Sequence, residues 1–201
     1  MLGTPHQPPP RPTDLAPLHD RLSGGDPRML HNVDEVVKTV LADPERLGEL
    51  IACVLASHDQ IVRLRAGDAL EKVCRTQPCL MQPHVSLLLG EMGKIHQPSV
   101  QWHVAQMLGH VRLTATQRRR AAGLMDENLD ESTDWIVLNC SLETLAALAR
   151  ADPAIVDDLR GQPRRHVHSG YKSLASRARK LLIEFGPGPT APTSTHRERQ
   201  T

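Results

Sequence analysis

The stretch VRLRAGDALEKV, residues 62–73, sets apolar side chains at Val62, Ala66, Ala69, Leu70 and Val73. The spacing i, i+4, i+7, i+8, i+11 gathers all five on one stripe of an α-helix, at about 100° per residue. The pattern returns 38 residues on, at Val100, Val104, Met107, Leu108 and Val111. It returns again after 37, at Val137, Ser141, Thr144, Leu145 and Leu148, and after another 37, at Leu174, Ala178, Leu181, Leu182 and Phe185. Eighteen of these 20 positions are hydrophobic, where the overall 39% would give about eight.

A second set of apolar stretches lies between the first. Leu50, Ile51, Val54 and Leu55 fall in residues 45–57; Leu88, Leu89 and Met92 in 84–93; Leu124, Met125 and Leu129 in 115–129; Val156 and Leu159 in 154–160. Each unit therefore reads as helix, turn, helix. One such pair cannot bury its apolar face alone, so successive pairs must stack. The expected fold is all-α, an α-solenoid of about four helix pairs. Pro44, Pro83, Pro98 and Pro153 stand just ahead of apolar-periodic stretches, where a first helical turn tolerates proline. Residues 33–42 read as an N-terminal helical cap opened by a capping box, Asn32-Val33-Asp34-Glu35. A short helix within 14–23 is expected to stop at Gly24-Gly25. Gly161 and Pro163 predict a short or bent first helix in the fourth pair.

Composition agrees with helices. The 201 residues hold 27 Leu against 14 Val and 6 Ile, and aromatics are only 2%, a balance that disfavours strands. Seven of the 16 Pro lie in residues 1–27, so residues 1–13 read as a disordered Pro-rich tail. Residues 187–201 are nearly devoid of apolar side chains and read as a second such tail, leaving 14–186 as the repeat domain. The four Cys are too few and scattered for a disulfide framework and point to a reducing compartment. No apolar run approaches a membrane span, and the N-terminus carries no apolar signal-peptide core, so the reading is a cytoplasmic protein with no membrane contact.

The run Asp59-Gln60-Ile61-Val62-Arg63, continuing to Ala66, Ala69 and Leu70, resembles the hallmark of HEAT repeats: Asp, Val-Arg, Ala and Leu. The segments DEVVKTVLADPERL, VRLRAGDALEKV, VQWHVAQML and RARKLLIEF look like those of small HEAT/armadillo-like proteins over roughly Asp34 to Phe185. The resemblance implies that first helices lie outside, that second helices line a concave face, and that the Asp and Arg join neighbouring repeats. Gln97 and Gln101 replace that Asp and Arg in the second unit, and Leu138 replaces the Arg in the third.

Signals for chemistry are sparse. Eleven His are present, but none belongs to a His-Glu dipeptide of the kind HEAT-like di-iron hydroxylases use, and the Cys spacing matches no zinc framework, so no metal and no cofactor are expected. Phosphate loops and nucleophile elbows are lacking too. Asp126-Glu127 and Asp130-Glu131 read as a solvated acidic turn. Trp102, one residue from His103, lies about 200° round its helix from Val100, off the apolar stripe. Trp135 opens a helix. Trp102, His103 and Trp135 are thus the candidate partner-binding residues. Charge is uneven: residues 160–201 carry nine basic and two acidic side chains, net +7, and residues 1–159 carry 15 and 21, net −6. Arg164, Arg165, Lys172, Arg177, Arg179 and Lys180 form a candidate anion or nucleic-acid patch, with Arg118-Arg119-Arg120 a separate run. The leading expectation is a non-enzymatic scaffold that holds a protein partner on its concave face. The alternative is a nucleic-acid-contacting module, distantly resembling HEAT-like DNA-alkylation-repair glycosylases.

Overall fold

A computed structural model describes residues 17–26, 29–30 and 32–186, with Asp157, Asp158 and Arg160 described by backbone alone. The two expected tails, 1–13 and 187–201, lie outside the described residues. Among the described residues every regular element is helical, and no helix is long and apolar enough to cross a membrane. The chain divides into two compact units, Met1–Leu70 and Glu71–Thr201.

The first unit holds α1 (Leu18–Leu22), α2 (Val33–Ala42), a 3-10 turn (Pro44–Arg46), α3 (Leu47–Ala56) and the greater part of α4 (Gln60–Thr76). Leu18, Leu22, Val36, Val40, Leu50, Val62 and Ala66 form its dry interior. The chain does turn at Gly24 and Gly25, both left-handed with φ near 70° (69° and 70°), a conformation that costs glycine nothing. The expected capping box is not made: Asn32 leaves its helix uncapped and donates instead to the Arg21 carbonyl.

Buried at the centre of this unit is a charge. Arg65 is 0% exposed. Its Nη1 donates to the carbonyls of Leu22 (2.7 Å) and Gly24 (2.6 Å), its Nη2 to that of Asp26 (2.8 Å) and its Nε to that of Met29 (3.1 Å). The coiled loop after α1 thus supplies carbonyl dipoles in place of the water a guanidinium normally requires. Asp59, by contrast, does not serve as a repeat-joining partner in the contacts it makes; its Oδ1 accepts from the Ile61 amide at 2.8 Å and caps the start of α4.

The second unit continues with α5 (Pro78–Met81), a 3-10 turn (Gln82–His84), α6 (Val85–Leu88), a further 3-10 turn (Met92–Lys94), α7 (Pro98–His110), α8 (Ala115–Glu131), α9 (Trp135–Ala151), a 3-10 turn (Pro153–Ile155), α10 (Val156–His166) and α11 (Lys172–Phe185). Proline opens α5, α7 and two of the 3-10 turns among the described residues, as a missing N–H permits. Thr114 and Gln117 form a reciprocal capping box on α8, and Asp134 accepts from the amides of Ile136 and Val137 to cap α9. α9 packs against α7, α8, α10 and α11. The first helix of the fourth pair is not cut short: α10 runs through Gly161 and Pro163. Burial of Leu159, Gln162 and Pro163 against its neighbours outweighs the hydrogen bond that proline cannot donate.

Burial matches the periodic stripe. Of the 20 positions, 18 are buried, Ser141 and Thr144 among them; only Leu182 and Phe185, on the last helix, are partly exposed. Several contacts across the unit span a distance close to that period. Thr144 Oγ1 donates to the Ala105 carbonyl, 39 residues back, at 2.7 Å. Arg177 donates to Asn139, 38 residues back; Gln162 to Asp126, 36 back; Arg165 to Asp130, 35 back. Arg118 meets Asp152, and Arg150 meets Glu184, each 34 residues apart.

Candidate interaction surface

Helices α9 and α11 meet along a polar seam, built by one face of α9: Trp135, Asn139, Glu143 and Arg150. Trp135 is the first residue of α9 and Tyr171 is the N-cap of α11; their rings stack at 6.0 Å between centroids and 26° between planes. The pair stays open to solvent, Trp135 38% and Tyr171 49% exposed. One turn further along α9, Asn139 accepts from Arg177 Nε at 2.7 Å, and Arg177 Nη1 lies 3.0 Å from Glu143. At the far end Arg150 donates twice to Glu184, at 2.6 and 2.7 Å, and sits 5.8 Å from the Phe185 ring centre. Those hydrogen bonds hold the Glu184 carboxyl below its ordinary range and push the Arg150 guanidinium above its own.

Beside this seam, and sharing Glu143 and Arg150 with it, a cavity of about 400 Å³ opens between α4, α7 and α9. Glu71 and Arg75 line it from α4, Gln106 and His110 from α7, and Cys140 and Glu143 from α9. Glu71 is nearly buried and receives both Arg75, at 3.2 Å, and His110 Nε2, at 3.5 Å. A carboxylate–imidazole pair beside a thiol has the ingredients of a cysteine nucleophile. Here the chemistry runs the wrong way. Burial, followed by the nearby Glu143 charge, pushes the Cys140 thiol up to about 11, so almost none of it is thiolate at neutral pH. Among the described residues no group of His, Cys, Asp or Glu is arranged to hold a metal ion.

The residues singled out by sequence fall in different places. Trp102 is half-buried, its ring edge against that of His103 at 5.4 Å and 65°. His103 does not face a partner: it is only 5% exposed, because it stands three residues after Val100 and so shares the inward side of α7. Trp135 is open, and its stacking partner Tyr171 was not anticipated. Part of the basic segment is paired with carboxylates. Arg165 bonds Asp130 and Arg177 bonds Glu143, so positive side chains of the C-terminal segment neutralise acids of α8 and α9. The acidic turn is likewise engaged, with Asp126 and Asp130 both accepting from the buried Gln162. The Arg165 and Gln162 bonds hold the Asp130 carboxyl below its ordinary range. Arg179 donates to the Val167 carbonyl at 3.0 Å, and Arg164, Lys172 and Lys180 are exposed. Gln101, standing where the repeat hallmark has Arg, donates to Asn128, which donates in turn to buried Ser141. No family model, no curated protein and no solved structure matches this chain.

Proposed function

We propose that the second unit is a HEAT-like helical repeat that holds a protein partner on the surface presented by α9 and its neighbours α7 and α11. The 34–39 residue spacing of the contacts supports the repeat. The observation that carries the binding function is the exposed Trp135–Tyr171 stack. The protein holds only two Trp, one Tyr and one Phe, and two of these four rings stand together in solvent at the rim of the α9–α11 seam. Large aromatics bury much area at little entropic cost and are favoured where partners dock. A polyanion is a weaker candidate for this surface. Arg165 and Arg177 already hold carboxylates, and a phosphate backbone would have to displace them.

The test compares captured proteins from the native cell, quantified by mass spectrometry. Three baits are used: the wild type, the double variant Trp135→Ser, Tyr171→Ser, and the control Lys172→Ala, Lys180→Ala. Melting profiles confirm that each is folded. The expected result is a discrete partner retained by the wild type and the lysine control and lost by the aromatic variant. A captured set that survives removal of both rings refutes the surface. Nucleic acid bound by the wild type and lost with the two lysines would replace it with the polyanion reading.

A further inference from the structure

The run Arg118-Arg119-Arg120 divides on folding. Arg118 turns to Asp152 at 3.4 Å and to the Leu113 carbonyl at 2.7 Å. Arg120 instead lines a separate cavity of about 430 Å³, together with Lys94 and His96. The cavity lies where the chain ahead of α7 meets α8. Arg120, Gly123, Leu124 and Glu127 face it from α8 with the i, i+3, i+4, i+7 spacing of a single helix face. Gly93 lets the two segments approach: a Cβ there would lie 2.9 Å from Leu124 Cδ2 and 2.9 Å from the Leu88 carbonyl oxygen. Nothing stands within 4 Å of a Cβ at Gly123, so that wall is open.

Among the described residues, the cations of this cavity lack the carboxylate partner that several arginines of the unit have. Arg75, Arg118, Arg150, Arg165 and Arg177 each pair with a carboxylate. Among the described residues neither Lys94 nor Arg120 does, although Glu127 lines the same space. Arg120 makes one long hydrogen bond, Nη2 to the Leu89 carbonyl at 3.5 Å, which keeps its guanidinium at the rim with donors to spare. Three exposed donors thus line the rim of one open cavity: a planar fork, an ammonium and an imidazole.

We infer that this cavity binds a phosphoryl group, independently of the partner surface on α9 and α11. A phosphate monoester offers three acceptor oxygens and nearly two negative charges, enough to engage Arg120 in a bidentate pair while also meeting Lys94 and His96. A carboxylate carries a single charge and holds its acceptor sites in one plane, so it matches the three donors less well. Glu127 opposes any anion there and sets the affinity low. The source of the phosphoryl group is either the free ion or a phosphorylated side chain of another protein, and the two are separated by experiment.

Full-length protein labelled with nitrogen-15 is titrated at constant ionic strength with inorganic phosphate, with a phosphoserine peptide, and with sodium chloride as control. The amide signals of Gly90, Gly93 and Gly123 are followed. Both phosphates are expected to shift them saturably and chloride is not. Tighter binding of the peptide assigns a phosphoprotein source, and saturation by phosphate alone assigns a free anion. Arg120→Gln is expected to weaken binding about ten-fold or more, Glu127→Gln to strengthen it, and Arg119→Gln to leave it unchanged. Shifts that are linear, equal in chloride, or indifferent to Arg120→Gln in a variant with the wild-type melting point overturn the proposal.

Discussion

Replacing Arg65 by Met tests whether the carbonyl cage organises the first unit. Methionine keeps most of the side-chain length and packing but none of the donors. Four carbonyls lose a donor, those of Leu22, Gly24, Asp26 and Met29, although that of Asp26 keeps the Met29 amide at 3.0 Å. The bond to Leu22 is fully buried, and leaving such an acceptor unsatisfied costs about 1–3 kcal/mol. The other three are partly buried and can recruit water, so each costs about 0.5–1.5 kcal/mol. The sum spans about 2.5–7.5 kcal/mol. Relief from burying a charge pulls the result to the lower half, about 3–4 kcal/mol. That is a large part of the roughly 5–15 kcal/mol that holds a typical domain together. Arg65→Lys is expected to cost at least as much: it keeps the buried charge but gathers all donors on one nitrogen, which cannot reach carbonyls spread over residues 22–29. The assay is urea unfolding followed by far-ultraviolet circular dichroism, with hydrogen exchange of the amides of residues 22–26. An unchanged midpoint together with unchanged exchange in Arg65→Met would refute the cage as a stabilising element.

Three further outcomes are expected. Leu108 is 1% exposed on the stripe of α7, so Leu108→Ala should cost about 2–5 kcal/mol in denaturant titration, as large core truncations do. Cys79 alone among the four thiols is exposed, while burial pushes Cys53, Cys74 and Cys140 up to about 11; a thiol reagent at pH 8 should label one cysteine in native protein and all four in urea. His166 has its Nε2 buried without a hydrogen-bond partner among the described residues, and burial, reinforced by Arg165, holds its pKa below the ordinary 6.5. The unfolded chain then binds a proton that the folded chain resists, so this residue lowers stability progressively as pH falls through about 6.5. His166→Gln should flatten the dependence of melting temperature on pH between 7.5 and 5.5, about the ordinary histidine range, and an unaltered slope would contradict the assignment.

The apolar stripe was legible because period and burial report the same geometry. What escaped is the position three residues after the first member of each stripe. Arg65, His103, Cys140 and Arg177 occupy it in succession. The first three are buried, at 0%, 5% and 9% exposure, and Arg177 is half-buried. Helical spacing alone puts this position on the inward side, but Arg65, His103 and Arg177 do not register in a hydrophobic count, whereas Cys140 does and reads as a buried thiol. The repeat hallmark drew attention to Arg63, whereas the neighbouring Arg65 makes the cage. The basic C-terminal segment was visible as composition, yet its pairing with Asp130 and Glu143 depends on which helices lie side by side. Tyr171 was invisible as a site for the same reason: only the approach of α11 to α9 brings it onto Trp135. The missing capping box at Asn32 shows the limit of a local motif, since the Arg21 carbonyl outcompetes the helix for its side chain.

The even spacing of contacts in the second unit also has a kinetic consequence. Side-chain links between its helices mostly span about 27–39 residues. The loop entropy to be overcome grows only as the logarithm of that length, so closing each link costs nearly the same. No step waits for distant ends of the chain to find each other, which is the slow event in folds of high contact order. Helices that pack on near neighbours in the chain can dock as they are synthesised, so the unit can assemble vectorially, keeping pace with a growing chain.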